Sequence, residues 1–345
     1  MKYRDSHLNL RLSVLLLISV LLPGCSSDNA ALPGTEPGAG DAVALSFDLF
    51  RSSMTRADAN AAPEVNTGAD EQMTAGKMFR IYAYAAGTTD DAHLAGAENY
   101  TVQPDDLTAT GNLKLYRGTY DMYLVSYNSS TEVPVLGADN KIHVANGKDF
   151  MYTKLGNIVV QPDKTGENVM KVALPNPFTR MGAQVVTTVA SRNGMQPVQP
   201  TALVVNYVKI NGLRNELSYS LNNTVWETAG TTISSSYTFE SFTLNNPEQN
   251  VNDKRVSAPS VLLPVDGTQK LTFEVNLTVS YREGSITKTM TDTYNASIEK
   301  SLLPGMTYQF DFSLTFYGAI IPTDLTLAIR EWTTTDLKGE TLGKD

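Results

Sequence analysis

Cysteine, histidine and tryptophan are all scarce in this sequence of 345 residues. The chain contains one cysteine, Cys25, together with three histidines, His7, His93 and His143. A lone cysteine cannot form a disulfide within the chain, and it cannot build a thiolate metal site. No histidine has a second one at the spacing of a metal-ligand pair. The sequence therefore argues against a disulfide framework, and we expect no metal and no other cofactor.

Local motifs for catalysis and nucleotide binding are missing as well. The sequence has no Gly-x-Ser-x-Gly elbow, no P-loop and no dinucleotide fingerprint. We interpret the adjacent pairs Asp90-Asp91 and Asp105-Asp106 as turn residues, because neighbouring side chains in an extended segment point apart. A calcium site at either pair is the alternative. We predict that the protein is not an enzyme, while a hydrolase whose carboxylates meet only on folding stays open.

Long hydrophobic runs are absent except at the N-terminus. Lys2, Arg4 and Arg11 come before or at the start of an apolar run, residues 12–22, that only serines interrupt. The run is shorter than the roughly 20 residues of a membrane-spanning helix, and it predicts a cleavable signal peptide at residues 1–24. Its removal makes the mature chain more negative than the full sequence, whose net charge is −9. This charge disfavours nucleic acid and anionic lipid surfaces as partners.

The one cysteine stands at the end of this apolar run. Residues 22–25 read Leu-Pro-Gly-Cys, which resembles the lipobox of bacterial lipoproteins. The resemblance implies cleavage between Gly24 and Cys25, followed by attachment of diacylglycerol and palmitate at Cys25. The alternative is an ordinary signal peptide in which a cysteine occurs by chance.

A single strand is predicted between two polar segments. Residues 25–40 are rich in Ser, Ala, Gly and Pro, which predicts a flexible tether. Residues 42–50 alternate between apolar and small or polar side chains, which is the pattern of a half-buried strand. The apolar face consists of Val43, Leu45, Phe47 and Leu49. Residues 51–70 are again small and polar.

The rest of the chain predicts strand after strand. Residues 271–281 and 306–316 each place apolar side chains on one face, and residues 285–296 are predicted to return as a hairpin across residues 282–284. No amphipathic helix longer than a few turns is apparent, and threonine and tyrosine are abundant, as strands prefer. We predict an all-β protein with two tandem antiparallel β-sandwich domains of the transthyretin-like or Greek-key type.

The predicted domains span residues 41–174 and 175–345. The length of the mature chain exceeds what one core usually serves. Pro175 and Pro177 set the boundary, because two prolines so close together end a strand.

Four tyrosines lie close together in sequence and allow two interpretations. Tyr116, Tyr120, Tyr123 and Tyr127 could form a sugar-stacking surface. We favour ordinary strand positions, with Tyr120 on one face of the strand and with Tyr123 and Tyr127 on the other.

Two arginines follow the isolated first strand. Arg51 and Arg56 lie in the small, polar segment, where proteases cut exposed chains. A cut after Arg56 would release the lipid, the tether and the first strand together. If that strand is paired in the sandwich, its loss leaves a groove with unpaired backbone groups that can accept another strand. The alternative is an arginine in a loop with no such role.

The order of these features resembles the fimbrillins, which are the subunits of type V pili in Gram-negative anaerobes. The layout of lipobox, strand, loop arginine and two β-domains is similar to theirs. Short stretches also match in order along nearly the whole mature chain, namely residues 79–84, 116–123, 177–183, 303–308 and 329–332.

The resemblance implies a structural subunit of a cell-surface pilus, exported to the outer membrane as a lipoprotein and assembled with other pilus subunits by donor-strand exchange. An arginine-specific protease would cut after Arg56, with Arg51 as the second choice. The donor strand would come from residues 320–345. Its best candidates are Asp324, Leu325, Leu327, Ile329 and Trp332.

The position of the subunit in the pilus stays open. The tail at residues 333–345 is short and polar, so a tip subunit that accepts a strand without donating one is possible. The alternative is a surface lipoprotein that does not polymerise, either as a pilus anchor or as an adhesin for a glycan or a ligand on a host or bacterial surface.

Overall fold

The computed structural model describes residues 42–49, 70–71, 73–105, 107–161, 168–193, 200–228, 232–244, 254–265, 267, 269–316 and 322–332. Regular structure in these ranges is β-strand, apart from one short 3-10 helix (Asp91–His93). The all-β prediction is therefore confirmed. No helix within the described residues is long and apolar enough to cross a bilayer.

Several predicted features lie outside the described residues. These are the signal peptide, the tether and the residues Gly24, Cys25, Arg51 and Arg56. Their assigned roles stay predictions.

The part of the chain that the structure describes contains twenty-three strands. The strands that precede residue 181 are β1 (Val43–Asp48), β2 (Asp70–Glu71), β3 (Met78–Ala85), β4 (Leu94–Val102), β5 (Thr108–Thr110), β6 (Lys114–Leu115), β7 (Gly118–Ser129), β8 (Ile142–Ala145), β9 (Met151–Val160), β10 (Val169–Ala173) and β11 (Phe178–Arg180). Those that follow are β12 (Ala183–Asn193), β13 (Pro200–Arg214), β14 (Glu216–Ser220), β15 (Val225–Glu227), β16 (Ile233–Phe239), β17 (Phe242–Leu244), β18 (Arg255–Ser257), β19 (Ser260–Leu262), β20 (Lys270–Glu283), β21 (Ile286–Glu299), β22 (Thr307–Phe316) and β23 (Pro322–Trp332).

The first sheet has ten strands in the order β10-β1-β5-β4-β3-β7-β9-β11-β2, with β6 also paired to β1. Alternation along its strands gives the sheet two buried faces. In β3, Phe79 and Ile81 belong to one core with the apolar face of β1, whereas Tyr82 and Tyr84 belong to a separate aromatic cluster. The tyrosines of β7 divide in the same way, with Tyr120 in the first core and Tyr123 in the aromatic cluster.

Two further sheets pack face to face. One has the order β17-β18-β12-β22-β23, with β19 beside β12, and the other has the order β16-β13-β20-β21. Their facing side chains form a second core, to which β20 contributes Phe273 and β22 contributes Phe310 and Phe312. The predicted hairpin is confirmed as β20 and β21, with residues 284–285 forming its turn.

The sheets are predominantly antiparallel, as predicted, although two strand pairs within the described residues are parallel. They are β1 with β10 and β12 with β22. The alternation of apolar and polar residues is the same in both kinds of pairing, so the sequence pattern could not distinguish them.

A small fourth sheet, β15-β14-β8, combines strands from both sides of the predicted domain boundary. It packs with the aromatic cluster, where the ring of Phe150 lies 5.0 Å from Tyr219 and 5.5 Å from Trp226. The division of the chain into two domains stays a prediction.

Candidate functional site

β1 is an interior strand of its sheet, although the strands that pair with it lie far from it in the sequence. On one side residues 44–48 pair in parallel with residues 169–173 of β10. On the other side β1 pairs antiparallel with β6 at its start and with β5 at its end. Within the described residues, β10 has no other strand beside it. We call the space that β1 fills between β10 and the β5–β6 edge the first-strand groove.

The apolar face of β1 is closed off from solvent, as the alternation predicts. Val43 and Phe47 are 0% exposed, Leu45 is 3% exposed and Leu49 is 7% exposed. Full burial of such a side chain contributes about 1.5–3 kcal/mol. Loss of β1 would therefore remove a substantial part of the first core.

Phe47 occupies an aromatic pocket at the centre of the groove. Its ring meets Tyr100 edge to face, with centroids 5.0 Å apart and planes at 82°, and it meets Phe79 at 6.4 Å and 88°. Phe79 in turn stacks on Tyr100 and contacts Phe178 at 5.5 Å. These are favourable geometries for aromatic pairs.

The hydroxyl of Tyr100 also contacts the backbone of β1. It donates a hydrogen bond to the carbonyl of Leu45 at 2.8 Å and accepts one from the amide of Leu113 at 3.3 Å. Burial raises the pKa of Tyr100 to about 12, so the hydroxyl keeps its proton at neutral pH. Tyr100 was not predicted from the sequence. The alternation in β4 places Tyr100 on the same buried face as Val102, but no local pattern reports the hydroxyl contact.

The predicted donor residues lie in β23, at the edge of a different sheet from β1. β23 pairs antiparallel with β22, from Thr307 opposite Trp332 to Leu314 opposite Leu325 and Thr315 opposite Asp324. Leu327 and Ile329 are partly buried against the second core. The structure therefore places the candidate donor strand on its own chain and does not bring it to the first-strand groove.

An ion pair links β23 to β22. Arg330 Nε lies 2.8 Å from Asp311 Oδ2, and Arg330 also donates to Asp311 Oδ1 at 3.2 Å. Asp311 accepts further hydrogen bonds from Thr188 of β12 and from Gln309. Burial by itself would raise the pKa of Asp311, but these donors, with Arg330 the strongest, hold it below its ordinary value.

The histidines and acidic pairs fall into ordinary surface roles. His93 lies 2.5 Å from Asp90, and Asp105 accepts hydrogen bonds from the amides of Leu107 and Thr108, as expected of a turn residue. Asp106 is outside the described residues. In the part of the chain that the structure describes, no three His, Cys, Asp or Glu side chains are grouped to hold a metal ion.

His143 lies at the pairing of β8 with β14. Its Nε2 is 3.0 Å from Asp139, and its Nδ1 is 3.1 Å from Glu216 and 3.2 Å from the hydroxyl of Ser218. The hydrogen bond with Asp139, supported by the charge of Glu216, raises the pKa of His143 above its ordinary value.

An open, polar cleft of about 400 Å³ lies close to this histidine. It is lined by three connecting segments, residues 87–90, 139–141 and 220–222. The side chain of Asn140 ties two of them together, because it donates to the carbonyl of Thr89 at 2.9 Å.

Stacked β-sheets, with the first strand built into the first core, define a β-sandwich class of protein. The sequence matches the model of the fimbrillin-like family over residues 55–332, and the chain therefore belongs to that family. No curated protein matches the sequence.

Two of the solved structures that share the fold are bacterial proteins. One is described as a candidate cell adhesion protein of Bacteroides fragilis, with 17% identity and a TM-score of 0.54 over 85% of this chain and 99% of that chain. The other is a fimbrial protein of Bacteroides vulgatus, with 13% identity and a TM-score of 0.52 over 85% of this chain and 99% of that chain. At these identities the likeness is one of fold.

Proposed function

We propose that this chain is a structural subunit of a cell-surface pilus, in which β1 is replaced by a strand from another subunit. The observation that carries the proposal is the position of β1, which is paired along both edges and buries its whole apolar face. Its removal would open a preformed groove with two unpaired backbone edges, which is the arrangement that β-augmentation uses. Membership of the fimbrillin-like family supports the same conclusion.

The proposed route begins with export as a lipoprotein. Signal cleavage between Gly24 and Cys25 and lipidation of Cys25 would hold the precursor at the outer membrane. An arginine-specific protease would then cut after Arg56, or after Arg51, in the small polar segment that follows β1. Either cut would separate lipid, tether and β1 from the rest of the subunit.

The proposed donor is β23 of a neighbouring subunit. It is an edge strand, and its inward side chains Leu327 and Ile329 are only partly buried where they are. The groove offers sites in which the corresponding side chains of β1 are 0–7% exposed. In the groove of another subunit these side chains would be more completely buried than at the edge of their own sheet, and this burial would favour assembly.

The test uses the exported chain and its Arg51→Ala/Arg56→Ala double variant, with the single variant Arg51→Ala as the matched control. All three are treated with an arginine-specific protease, and the products are examined by N-terminal sequencing, size-exclusion chromatography and electron microscopy. We expect wild type and Arg51→Ala to begin at Ala57 and to form filaments, and the double variant to keep β1 and to stay monomeric. A cut protein that loses β1, keeps its fold and remains monomeric would contradict the proposal.

A second candidate is a surface lipoprotein that binds a ligand and does not polymerise. The cleft near His143 favours it, because hydroxyl and amide groups of Thr88, Thr89 and Asn222 line the cleft and suit a polyhydroxylated ligand such as a glycan. This candidate predicts that Asn222→Ala lowers binding to a glycan array and that Arg56→Ala leaves the binding unchanged.

A further inference from the structure

The edge of the first-strand groove has a gap in its backbone ladder. β1 pairs with β6 at Val43 and Ala44, and it pairs with β5 at Phe47 and Asp48. Between these two stretches the chain of the opposite wall passes from β5 to β6, and only one direct backbone bond is made there, from the amide of Leu45 to the carbonyl of Leu113 at 2.9 Å.

The Tyr100 hydroxyl fills this gap. In an antiparallel pair the reciprocal bond would run from the amide of Leu113 to the carbonyl of Leu45. Here the amide of Leu113 donates to the Tyr100 oxygen, and the Tyr100 hydroxyl donates to the carbonyl of Leu45. A side chain thus relays one ladder bond across the space between two strands, and neither backbone group is left unsatisfied.

The position of this hydroxyl is fixed by close packing. A Cβ at Gly111 would lie 2.6 Å from the carbonyl oxygen of Asn99 and 2.7 Å from the Tyr100 ring, so the absence of a side chain lets the ring occupy its place. The Tyr100 ring is also stacked on Phe79 and lies edge to face with Phe47. Tyr100 is itself 0% exposed.

We propose that Tyr100 sets the register of whichever strand occupies the first-strand groove. The hydroxyl can donate only to a strand carbonyl that points toward it, as the carbonyl of Leu45 does. The ring contacts the side chain two residues further on, which in β1 is the large apolar side chain of Phe47. A strand shifted by one residue presents the wrong face to the ring. Tyr100 is therefore a positioning residue, and this role rests on the proposed strand exchange.

The same rule selects one register for β23 running in the direction of β1. Leu327 or Ile329 could take the place of Phe47. If Ile329 takes the place of Phe47, Glu331 falls at the position of Leu49. That position is 7% exposed, and an unpaired carboxylate is costly to bury there. If Leu327 takes the place of Phe47, Ile329 falls at the position of Leu49, and the carbonyl of Leu325 accepts the hydrogen bond from the Tyr100 hydroxyl. We therefore assign this register.

The test measures the hydrogen bonding of the Leu45 carbonyl directly. The full chain is cut after Arg56, and the released strand is exchanged for a synthetic peptide of residues 42–49 that carries a ¹³C,¹⁸O label at the Leu45 carbonyl. Isotope-edited infrared spectra are compared for wild type, Tyr100→Phe and Tyr120→Phe. Tyr120 is the matched control, because it is a buried tyrosine of the same core whose hydroxyl donates to Tyr116 at 3.0 Å.

We expect the labelled band to move to higher frequency in Tyr100→Phe and to stay in place in Tyr120→Phe. The peptide should also dissociate about tenfold faster from Tyr100→Phe, since a buried carbonyl loses its donor. If Tyr100→Phe fails to fold, a peptide with a thioamide at Leu45 tests the same contact in the wild-type protein, because sulfur is the weaker acceptor. An unchanged band, or a thioamide peptide that dissociates at the rate of the normal one, overturns the proposal.

A peptide of residues 322–332 separates this proposal from the function on which it rests. If that peptide enters the groove, a label at Leu325 should respond to Tyr100→Phe and a label at Leu327 should not. The reverse result overturns the assigned register. If the peptide does not enter the groove at all, the donor assignment fails, and the peptide of residues 42–49 still decides the role of Tyr100.

Discussion

Asp311 of β22 and Arg330 of β23 are joined by two hydrogen bonds, at 2.8 Å and 3.2 Å, across the strand pair at one edge of their sheet. The carboxylate is also held by Thr188 and Gln309, so it belongs to the fixed part of the sheet. Arg330 belongs to the edge strand that is the candidate donor. This ion pair therefore links β23, the candidate donor strand, to the sheet from which β23 would have to dissociate.

Arg330→Gln should loosen β23 without unfolding the rest of the sandwich. A partly exposed ion pair contributes about 0.5–1 kcal/mol, which corresponds to a two- to fivefold increase in the hydrogen exchange of β23 amides. Mass spectrometry of the exchange in peptides that cover residues 322–332 measures this change.

Lys209→Gln is the control for Arg330→Gln, because it removes a comparable ion pair, with Glu274 at 3.5 Å, from the facing sheet. We expect this variant to leave the exchange of β23 unchanged. Equal protection of β23 in wild type and Arg330→Gln would show that the ion pair does not retain the strand. A rise in the exchange of all strands would point to general destabilisation instead.

Phe47→Ala should destabilise the uncut protein by about 3–5 kcal/mol, because it empties an aromatic pocket whose walls cannot easily collapse. Asp48→Ala changes the next residue of the same strand, which faces solvent, and should have an effect within about 0.5 kcal/mol. Urea unfolding of both variants measures the difference. Similar losses for the two would mean that the alternation of β1 does not determine its contribution to the core.

The face of β1 could be predicted from sequence because alternation reports burial on either side of a strand. The same reasoning correctly divided Tyr120 from Tyr123 on β7. It could not find the neighbours of β1, since β10 lies more than a hundred residues away and its parallel pairing leaves no mark on the local pattern. The contacts of Tyr100 and Asp311 were out of reach for the same reason, because each depends on strands that come together only in the folded chain.

The contribution of His143 to stability should depend on pH. Its pKa is raised in the folded chain, so the charged ring stabilises the fold below its ordinary pKa of about 6.5, and this contribution is lost as the pH rises through the folded value. The side chain is 40% exposed, so the effect should stay under about 1 kcal/mol.

Urea unfolding of wild type and His143→Gln at about pH 6 and pH 8 tests this prediction. The free energy of unfolding of wild type should exceed that of the variant by less at the higher pH than at the lower pH. His93→Gln serves as the control. In the described ion pairs His93 has one acidic partner, Asp90, whereas His143 has two. A difference between wild type and His143→Gln that is the same at both pH values would contradict the assignment.

Gly111→Ala should disturb the first-strand groove through the nearest neighbours of the glycine, which belong to β4. The added methyl group would lie 2.6 Å from a backbone oxygen, at Asn99, and 2.7 Å from the Tyr100 ring, so the ring or the strand must shift. Overpacking of this kind costs about 1–3 kcal/mol.

Gly156→Ala is the matched control, because the nearest neighbour of its added methyl group would be the Asp121 carboxylate at an ordinary 3.6 Å. If thermal unfolding shows equal stability for the two variants, the close approach at Gly111 does not hold Tyr100 in place. If only Gly111→Ala is destabilised, and its cut form also releases β1 faster, the placement of the Tyr100 ring governs how firmly the groove holds a strand.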